Sequence, residues 1–351
     1  MDVQQQPAPA SPVFAAPANT AQGMDLARRI ARAMTQGALY EVRCHGKPGL
    51  VCPDTPGAHA DMDFGTFMAA IPALWEPFEL SARAGLAHQG EPQALFRVLR
   101  AQGPRWEADL LAATGGVNTH RGLLFVGSVA CAAAGMRLAQ GRSLTAAAVC
   151  RGIAAMCQGL CQAEFGRVSG VAARSGPGLS GGCRSLSEGH RLPRGHHLPC
   201  GHRLTAGERL FVAHGLTGIR GEAEAGLPTV TAWGLPALSE ALGRGAGVEQ
   251  SMLHALIALM AGAWDTTVAH RGGLEGLLWL RGAALDMARQ GGALSASGRA
   301  ALAACGKACL VRNISPGGAA DLLAVTVALY LLEHGGWPEQ VTVTHDERWM
   351  P

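Results

Sequence analysis

Glycine-rich turns that carry charged residues recur along this chain, and each one borders a stretch with helical periodicity. The first such stretch begins at Met24, where Leu26, Ile30 and Met34 share one face of a helix. The sequence has 48 glycines, only two tyrosines and few runs of β-branched residues, a composition that favours helices joined by glycine turns. We therefore predict an all-α fold, a single globular multi-helix domain with functional Gly-rich turns and a low-complexity insertion.

The richest turn lies at 47–63 and contains Lys47, His59, Asp61 and Asp63. Prolines and glycines fix its backbone in turns, and the two aspartates point to one side if the chain is extended there. Two convergent carboxylates beside a lysine indicate a metal ion held against a phosphate. A solvated polar loop is the alternative interpretation.

Similar turns follow at 115–122, 215–226, 265–273 and 313–321. The helices predicted around them are 66–74, ended by Pro77; 91–113, with a break near 103–104; 123–140; 149–160; 205–214, which starts with a capping box; 248–263; 274–290; and 319–333. This order places backbone N–H groups, arginines and carboxylates at helix ends, where polyphosphates and their magnesium ions bind readily.

The helical domain is predicted at 23–336, between a disordered leader at 1–22 and a tail at 337–351 that holds at most a short strand at 341–344. A Gly/His/Arg-rich insertion at 167–204 interrupts this domain, and we expect it to be disordered, since its three short Gly-His repeats cannot bury a solenoid core. The alternative for the insertion is a zinc site, but it lacks the Cys-x-x-Cys or His-x-x-x-His pair that would arrange a tetrahedron.

Net charge and cysteine content limit which binding partners and which cellular compartment are expected. The net charge is only +3 and the basic residues are scattered, so we expect a polyanionic small molecule rather than nucleic acid as the partner. The longest apolar run, 122–136, is short and rich in Ala and Gly for a membrane span, so no membrane is expected. Ten cysteines without framework spacing indicate reduced thiols and a cytoplasmic protein.

Five motifs, at 47–51, 57–63, 115–122, 220–223 and 315–323, occur in an order that is more specific than any one of them. Together they resemble the triphosphoribosyl-dephospho-CoA synthases. The resemblance covers 24–166 and 205–336, and it departs from the family at 167–204, where a shorter connection between helices is usual.

The resemblance implies an all-helical fold and two substrates, ATP and 3'-dephospho-CoA. The ribose 2'-hydroxyl of dephospho-CoA displaces adenine from the ATP ribose, and the product, 2'-(5''-triphosphoribosyl)-3'-dephospho-CoA, keeps the triphosphate. An acyl carrier protein transfer enzyme would receive this product for the acyl carrier subunit of malonate decarboxylase or citrate lyase. The sequence motifs at 220–226 and 270–276 are closer to those of the synthases that serve malonate decarboxylase.

Breaking the adenine N-glycosidic bond builds positive charge on the ribose, so the rate depends on positioning, electrostatics, a base for the hydroxyl and an acid for adenine. The predicted base is His59 or Glu224. The predicted magnesium ligands are Asp61, Asp63, Glu222 and Asp265. The predicted phosphate or substrate ligands are Lys47, Asn118, His120, Arg121, Arg220, Arg271 and Ser315. The alternatives are helix caps for the carboxylates, caps or salt bridges for the arginines, and a satisfied turn histidine for His59.

Two other functions use the same features. A magnesium-dependent ADP-ribosyl hydrolase would direct water at a ribose carbon without dephospho-CoA. A non-catalytic nucleotide-sensing partner of the carrier protein would need phosphate contacts but no acid or base. Adenine release from ATP, measured with and without dephospho-CoA, separates all three hypotheses.

Overall fold

The computed structural model describes residues 20–172 and 204–341, and all regular elements in these ranges are helical apart from an isolated bridge between Cys52 and Thr55. The helices are α1 (Ala21–Arg43), α2 (Phe64–Ala87), α3 (Pro92–Ala113), α4 (Arg121–Ala139), α5 (Ala146–Cys157), α6 (Leu160–Ala172), α7 (Ala206–His214), α8 (Gly218–Glu224), α9 (Leu235–Gly243), α10 (Val248–Gly262), α11 (Thr266–Arg289), α12 (Ala296–Val311) and α13 (Gly317–His334). A π-helical turn, Val230–Gly234, precedes α9, and a 3-10 turn, Gly292–Leu294, precedes α12. The predicted all-α fold is confirmed.

Helices α4 and α13 form the centre of the fold. Both are long and apolar enough to cross a membrane by length and composition, yet 67% and 72% of their apolar windows are buried inside the protein. Helix α2 packs on α4, and α1 packs on α2 and α13. A Cβ on Gly85 would overlap the Ala132 carbonyl oxygen, and one on Gly37 would overlap that of Ala324, so glycine permits both close helix contacts.

Two predicted helix boundaries at prolines are wrong. Helix α2 continues through Pro72 and Pro77 to Ala87 instead of ending before Pro77, and α3 continues through Pro104 without the predicted break. A proline inside a helix removes one backbone hydrogen bond, but α2 buries a long apolar face against α1 and α4. Tertiary burial therefore outweighs the local preference of proline.

Three other predicted elements differ in the structure, two of them at a glycine. The helix predicted at 149–160 divides in two, because Gly159 adopts a φ of 79° between α5 and α6. The turn predicted at 270–273 lies inside α11, where Gly273 alone leaves helical geometry with a φ of 66°. The turn predicted at 215–226 contains α8, so most of it is helical.

The described residues reach into the predicted flanking segments. Helix α1 begins at Ala21, within the predicted leader, and α6 extends to Ala172, within the predicted insertion. In the predicted tail, Trp337 stacks on Tyr330 at a centroid distance of 5.6 Å and contacts the edge of Tyr40 at 5.2 Å. Residues 1–19, 173–203 and 342–351 lie outside the described ranges, and with them most of the insertion and all but Val341 of the predicted strand.

Candidate active site

A polar pocket lies where the 47–63 loop meets the beginnings of three helices. Its walls include Arg121 and Gly122 of α4, Thr267 of α11 and Gly317 of α13, and we refer to it as the helix-end pocket. The first turn of a helix presents N–H groups without intrahelical partners and the positive end of the helix dipole. The pocket is therefore suited to an anion.

The 47–63 loop is held close to the α12–α13 connection by two glycines. Gly49 and Gly57 have φ values of 68° and 62°, in the left-handed region that favours glycine. A Cβ on Gly49 would overlap the Ile314 carbonyl oxygen, and one on Gly57 would overlap that of Leu50. This tight course carries His59 to the pocket wall.

His59 and Ser315, both predicted site residues, meet in the pocket. The His59 Nε2 atom lies 2.8 Å from the Ser315 hydroxyl, and Nδ1 lies 3.8 Å from an Asp61 carboxylate oxygen. Partial burial, and then the charge of Arg271, lower the pKa of His59. The imidazole is therefore neutral and oriented near neutral pH, as a proton acceptor requires.

Arg271 fastens the loop rather than pointing freely at a ligand. Its guanidinium donates to the Ala58 carbonyl, to the Asn313 carbonyl at 3.0 Å and to the Asn313 side chain. These bonds join the 47–63 loop to the turn before α13. Arg271 was predicted to bind phosphate, and the structure shows it holding the wall of the pocket together.

Lys47 lies behind the pocket in a buried ion pair. Its Nζ atom is 2.6 Å from the Glu41 carboxylate and also donates to the Glu41 carbonyl, and Glu41 itself lines the pocket. Burial opposes the charged form, but the charge of Glu41, with smaller contributions from two cysteines, raises the pKa of Lys47 overall. The predicted phosphate ligand is therefore already neutralised by a carboxylate.

Asp321 contributes a second buried carboxyl to the pocket. Burial, followed by the nearby charges of Glu41 and Asp265, raises the pKa of Asp321 well above its ordinary value, opposed by a bond from the Leu123 N–H. It forms no ion pair with any described residue. A Cβ on Gly122 would overlap the Asp321 carboxyl, so glycine lets this acid approach the start of α4. The raised pKa favours the protonated form of Asp321, which can donate a proton.

His120, one of the predicted phosphate or substrate ligands, lines the pocket as a neutral group. It is the N-cap of α4, and neither ring nitrogen has a hydrogen-bond partner among the described residues. The Phe67 ring packs edge-on at a centroid distance of 4.8 Å. Burial, and then the charge of Lys47, lower the pKa of His120 to about 3. Its nitrogens are available to a polar, uncharged part of a ligand.

Arg121 supplies a cation at the pocket wall, beside Asn118. Its side chain is 61% exposed and pairs with Glu107 at 2.8 Å. An exposed ion pair of this kind contributes little to stability and exchanges readily for a phosphate. Both residues lie where the sequence predicted a phosphate or substrate contact.

Three predicted residues of α8 have structural partners and do not line the pocket. Arg220 pairs with Glu164 and lies over the Phe165 ring at 5.7 Å. Glu222 accepts from the hydroxyl and the N–H of Thr229, and burial raises the pKa of Glu222. Gly218 directly abuts Thr266, so only the beginning of α8 approaches the pocket edge.

Glu224, one of the two predicted bases, caps α6. Its two carboxylate oxygens accept from the N–H groups of Gly159 and Cys161 at 2.8 and 3.0 Å. Acidic side chains at a helix start satisfy free N–H groups and interact favourably with the dipole. The structure therefore gives Glu224 the capping role and leaves His59 at the pocket.

The four predicted magnesium ligands do not converge. Asp63 is the N-cap of α2 in a capping box with Thr66, whose backbone bond lowers the pKa of Asp63. Asp265 is the N-cap of α11, and its second oxygen accepts from the Ala319 N–H of α13 at 2.9 Å. Asp61 alone, 66% exposed beside His59, has no helix to cap. Within the described ranges, no three His, Cys, Asp or Glu side chains form a metal-binding group.

Two carboxyl groups of the pocket, Glu41 and Asp321, are not among the residues predicted from the sequence. Asp321 lies in the quoted 315–323 motif but received no role, because its position in α13 does not reveal that it faces another helix start. Glu41 lies in the last two turns of an amphipathic helix, where a glutamate is ordinarily solvated. The lysine that follows in the loop was the one signal that this glutamate has a buried partner.

The chain is similar to known proteins over most of its length. Residues 27–340 match the CitG family, described as ATP:dephospho-CoA triphosphoribosyl transferase. The match includes α4, α11 and α13, the helices whose beginnings form the helix-end pocket. No solved structure matches the chain significantly.

Curated relatives cover most of the chain. A 2-(5''-triphosphoribosyl)-3'-dephosphocoenzyme-A synthase from Pectobacterium atrosepticum is 37% identical over 310 residues, which are 88% of this chain and 89% of the relative. A protein of the same name from Klebsiella pneumoniae is 34% identical over 86% of this chain and 89% of its own. A probable synthase of this name from Malonomonas rubra is 35% identical over 85% of this chain and 86% of its own. The predicted resemblance is confirmed, and the chain belongs to the ATP:dephospho-CoA triphosphoribosyl transferase family.

Proposed function

We propose that the helix-end pocket joins ATP to 3'-dephospho-CoA and releases adenine. One observation carries the proposal: a pocket at three helix beginnings, with Arg121 at its wall, holds a neutral histidine, His59, and a buried acid with a raised pKa, Asp321. A triphosphate binding surface and an acid–base pair thus share one pocket. Family membership supplies the substrates that fit them.

The triphosphate is held by the start of α4 and by Arg121. The starts of α11 and α13 already share the Asp265 carboxylate, which accepts from N–H groups of both helices. The α4 start has a capping histidine that makes no capping bond, but the Leu123 N–H of this turn already bonds to Asp321. The Arg121 guanidinium, together with the remaining N–H groups of the turn, is therefore the proposed anion-binding element of the pocket.

The reaction forms a bond between the dephospho-CoA 2'-oxygen and ribose C1' of ATP, and it breaks the bond from C1' to adenine N9. The hydroxyl proton passes to His59, and Asp321 gives a proton to the departing adenine, so charge balances across the step. Glu41 lines the same pocket, with its charge paired to Lys47. Ser315 orients His59 through their hydrogen bond.

We propose that Mg²⁺ enters on the triphosphate. Magnesium in such sites is usually held by one or two carboxylates together with substrate phosphates, and this donor set fits the exposed Asp61 carboxylate at the pocket rim. The ion would neutralise phosphate charge. Asp63, Glu222 and Asp265 have protein partners instead, so they are not proposed as ligands.

The handover of the product to an acyl carrier protein transfer enzyme, for malonate decarboxylase or citrate lyase, is also part of the proposal. It is supported by the motif forms at 220–226 and 270–276. A cytoplasmic location is supported by the described cysteines, all of which are free thiols.

Adenine release tests the proposed function. Purified protein is incubated with ATP and Mg²⁺, with and without dephospho-CoA, and adenine and the coupled product are quantified by chromatography and mass spectrometry. We expect adenine and product in equal amounts, both dependent on dephospho-CoA. Equal adenine release with water as the only acceptor would favour the hydrolase hypothesis, and no release under either condition would favour the nucleotide sensor.

A further inference from the structure

A second cavity lies between α3 and α4, next to the helix-end pocket. It is walled mainly by apolar and aromatic side chains, and we call it the α3–α4 cleft: Phe96, Leu99, Trp106, Phe125, Ser128 and Val129. Phe96 and Phe125 pack edge to face at a centroid distance of 6.4 Å. Such walls suit a flat, apolar-faced group better than a charged one.

Two polar groups in the cleft have no protein partner. Trp106 and Ser128 are each 4% exposed, and neither the indole N–H nor the hydroxyl makes a hydrogen bond within the described chain. Buried donors that lack a partner are rare in folded proteins, because each costs free energy. Both residues line the same cavity, so a ligand whose acceptors reach these two side chains would satisfy them.

The cleft and the helix-end pocket share one lining residue. Arg121 lines both cavities, and a small recess between them is lined by Arg121, Asn118 and Glu107. A molecule with a phosphate end and a flat apolar end would reach both cavities if its phosphate takes Arg121 from Glu107. The anionic end would lie at the start of α4 and the flat end between α3 and α4.

We propose that the α3–α4 cleft binds the adenine ring of a substrate, with the Trp106 N–H and the Ser128 hydroxyl facing the ring nitrogens. Adenine has two apolar faces for the aromatic walls and acceptor nitrogens along its edges. The proposal rests on the proposed function, because both of its substrates, ATP and dephospho-CoA, carry this ring. A pantetheine arm, the other apolar part of dephospho-CoA, lacks the flat faces.

Equilibrium binding without turnover tests this assignment. Calorimetry measures each of ATP, dephospho-CoA, inorganic tripolyphosphate and pantetheine separately, with the intact protein and with Trp106→Phe and Ser128→Ala. The matched control is Ser81→Ala, which removes another buried hydroxyl without a described partner, in α2 and outside the cleft. Circular dichroism melts report whether each variant folds, and the two cleft variants are independent of each other.

We expect each cleft variant to weaken binding of ATP or dephospho-CoA about three- to tenfold, the range of one neutral hydrogen bond, while tripolyphosphate binding and the Ser81→Ala variant stay unchanged. If only ATP binding weakens, the cleft binds the adenine of ATP. If only dephospho-CoA binding weakens, the cleft binds the adenine of the acceptor. Unchanged binding of both substrates, an equal loss for tripolyphosphate, or a loss only for pantetheine would overturn the proposal. If the cleft variants weaken substrate binding as expected but the intact protein releases no adenine, the proposed function is wrong and the adenine site stands.

Discussion

The helix-end pocket and the α8 segment, residues 218–226, have similar residues in sequence but different partners in the structure. In the pocket, both nitrogens of His120 lack a described partner and Asp321 has no ion pair among described residues. In the α8 segment, Glu222 binds Thr229 and Glu224 caps α6. Both regions combine glycine, arginine and carboxylates, and only the pocket keeps polar groups available to a ligand.

This difference shows why charged glycine turns are ambiguous. A carboxylate near a helix start can satisfy free N–H groups or can bind a ligand, and the same residue types serve both purposes. What separates the two cases is whether the carboxylate already has its partners. The following predictions compare residues of the two regions directly.

The largest effect is expected for Asp321→Asn. The amide keeps an acceptor for the Leu123 N–H but cannot donate the acid proton, so kcat for adenine release should fall by about 10²- to 10⁴-fold. The paired variant Glu224→Gln should keep its kcat and show a lowered melting temperature, because it weakens the α6 cap. A greater loss of kcat in Glu224→Gln than in Asp321→Asn would reverse the assignment.

The next effect concerns the two arginines predicted to bind phosphate. Arg121→Gln should raise the KM for ATP by about tenfold or more, because a charged hydrogen bond to phosphate contributes about 1.5 kcal/mol or more. Arg220→Gln should leave this KM unchanged and lower the melting temperature, since its partners are Glu164 and the Phe165 ring. Steady-state kinetics with a thermal melt of each variant measures both effects. An ATP KM that responds only to Arg220 would contradict the account.

The pH dependence of stability tests the buried histidine. The pKa of His120 is about 3 in the folded protein and about 6.5 when unfolded, so between these values the unfolded chain binds one more proton. His120 therefore lowers stability by about 1.4 kcal/mol for each pH unit below 6.5. Denaturant unfolding at several pH values should show that the free energy of unfolding falls less steeply with decreasing pH in His120→Asn than in the unmodified protein. The exposed His214→Asn serves as the control, and equal slopes for the two variants would refute a buried, neutral His120.

The smallest effect concerns magnesium. Asp61→Asn should shift the magnesium dependence of activity upward by about two- to fivefold, as expected for an exposed charged contact. Asp63→Asn should leave this dependence unchanged, because asparagine preserves the N-cap of α2. Magnesium titrations of the two variants decide the matter. Equal shifts of the magnesium dependence in the two variants would indicate that Asp63 is also a magnesium ligand.

Much of the fold follows from the sequence. Helical periodicity and the glycine turns predict the all-α class and many of the helices, though not α9 or α12, because periodicity and turns are local signals. The errors at Pro77 and Pro104 arise where long-range burial overrides a local preference. The division at Gly159 and the kink at Gly273 depend on single backbone conformations that composition does not show.

The site is predictable to a smaller extent. His59, Asn118, His120, Arg121 and Ser315 come together because each lies at a turn beside a helix beginning. Glu41 and Asp321 could not be identified, since their roles depend on which helices pack together. The charge state of His120 also depends on burial, which the sequence does not give.

Hydrogen exchange upon ATP binding tests the central claim, that the triphosphate binds in the helix-end pocket. Amide exchange is followed by mass spectrometry with the intact protein, with and without magnesium–ATP. We predict slower exchange in peptides that contain residues 119–124 and 315–320, with little change at 218–226. Protection at 218–226 without protection at 119–124 would contradict the account.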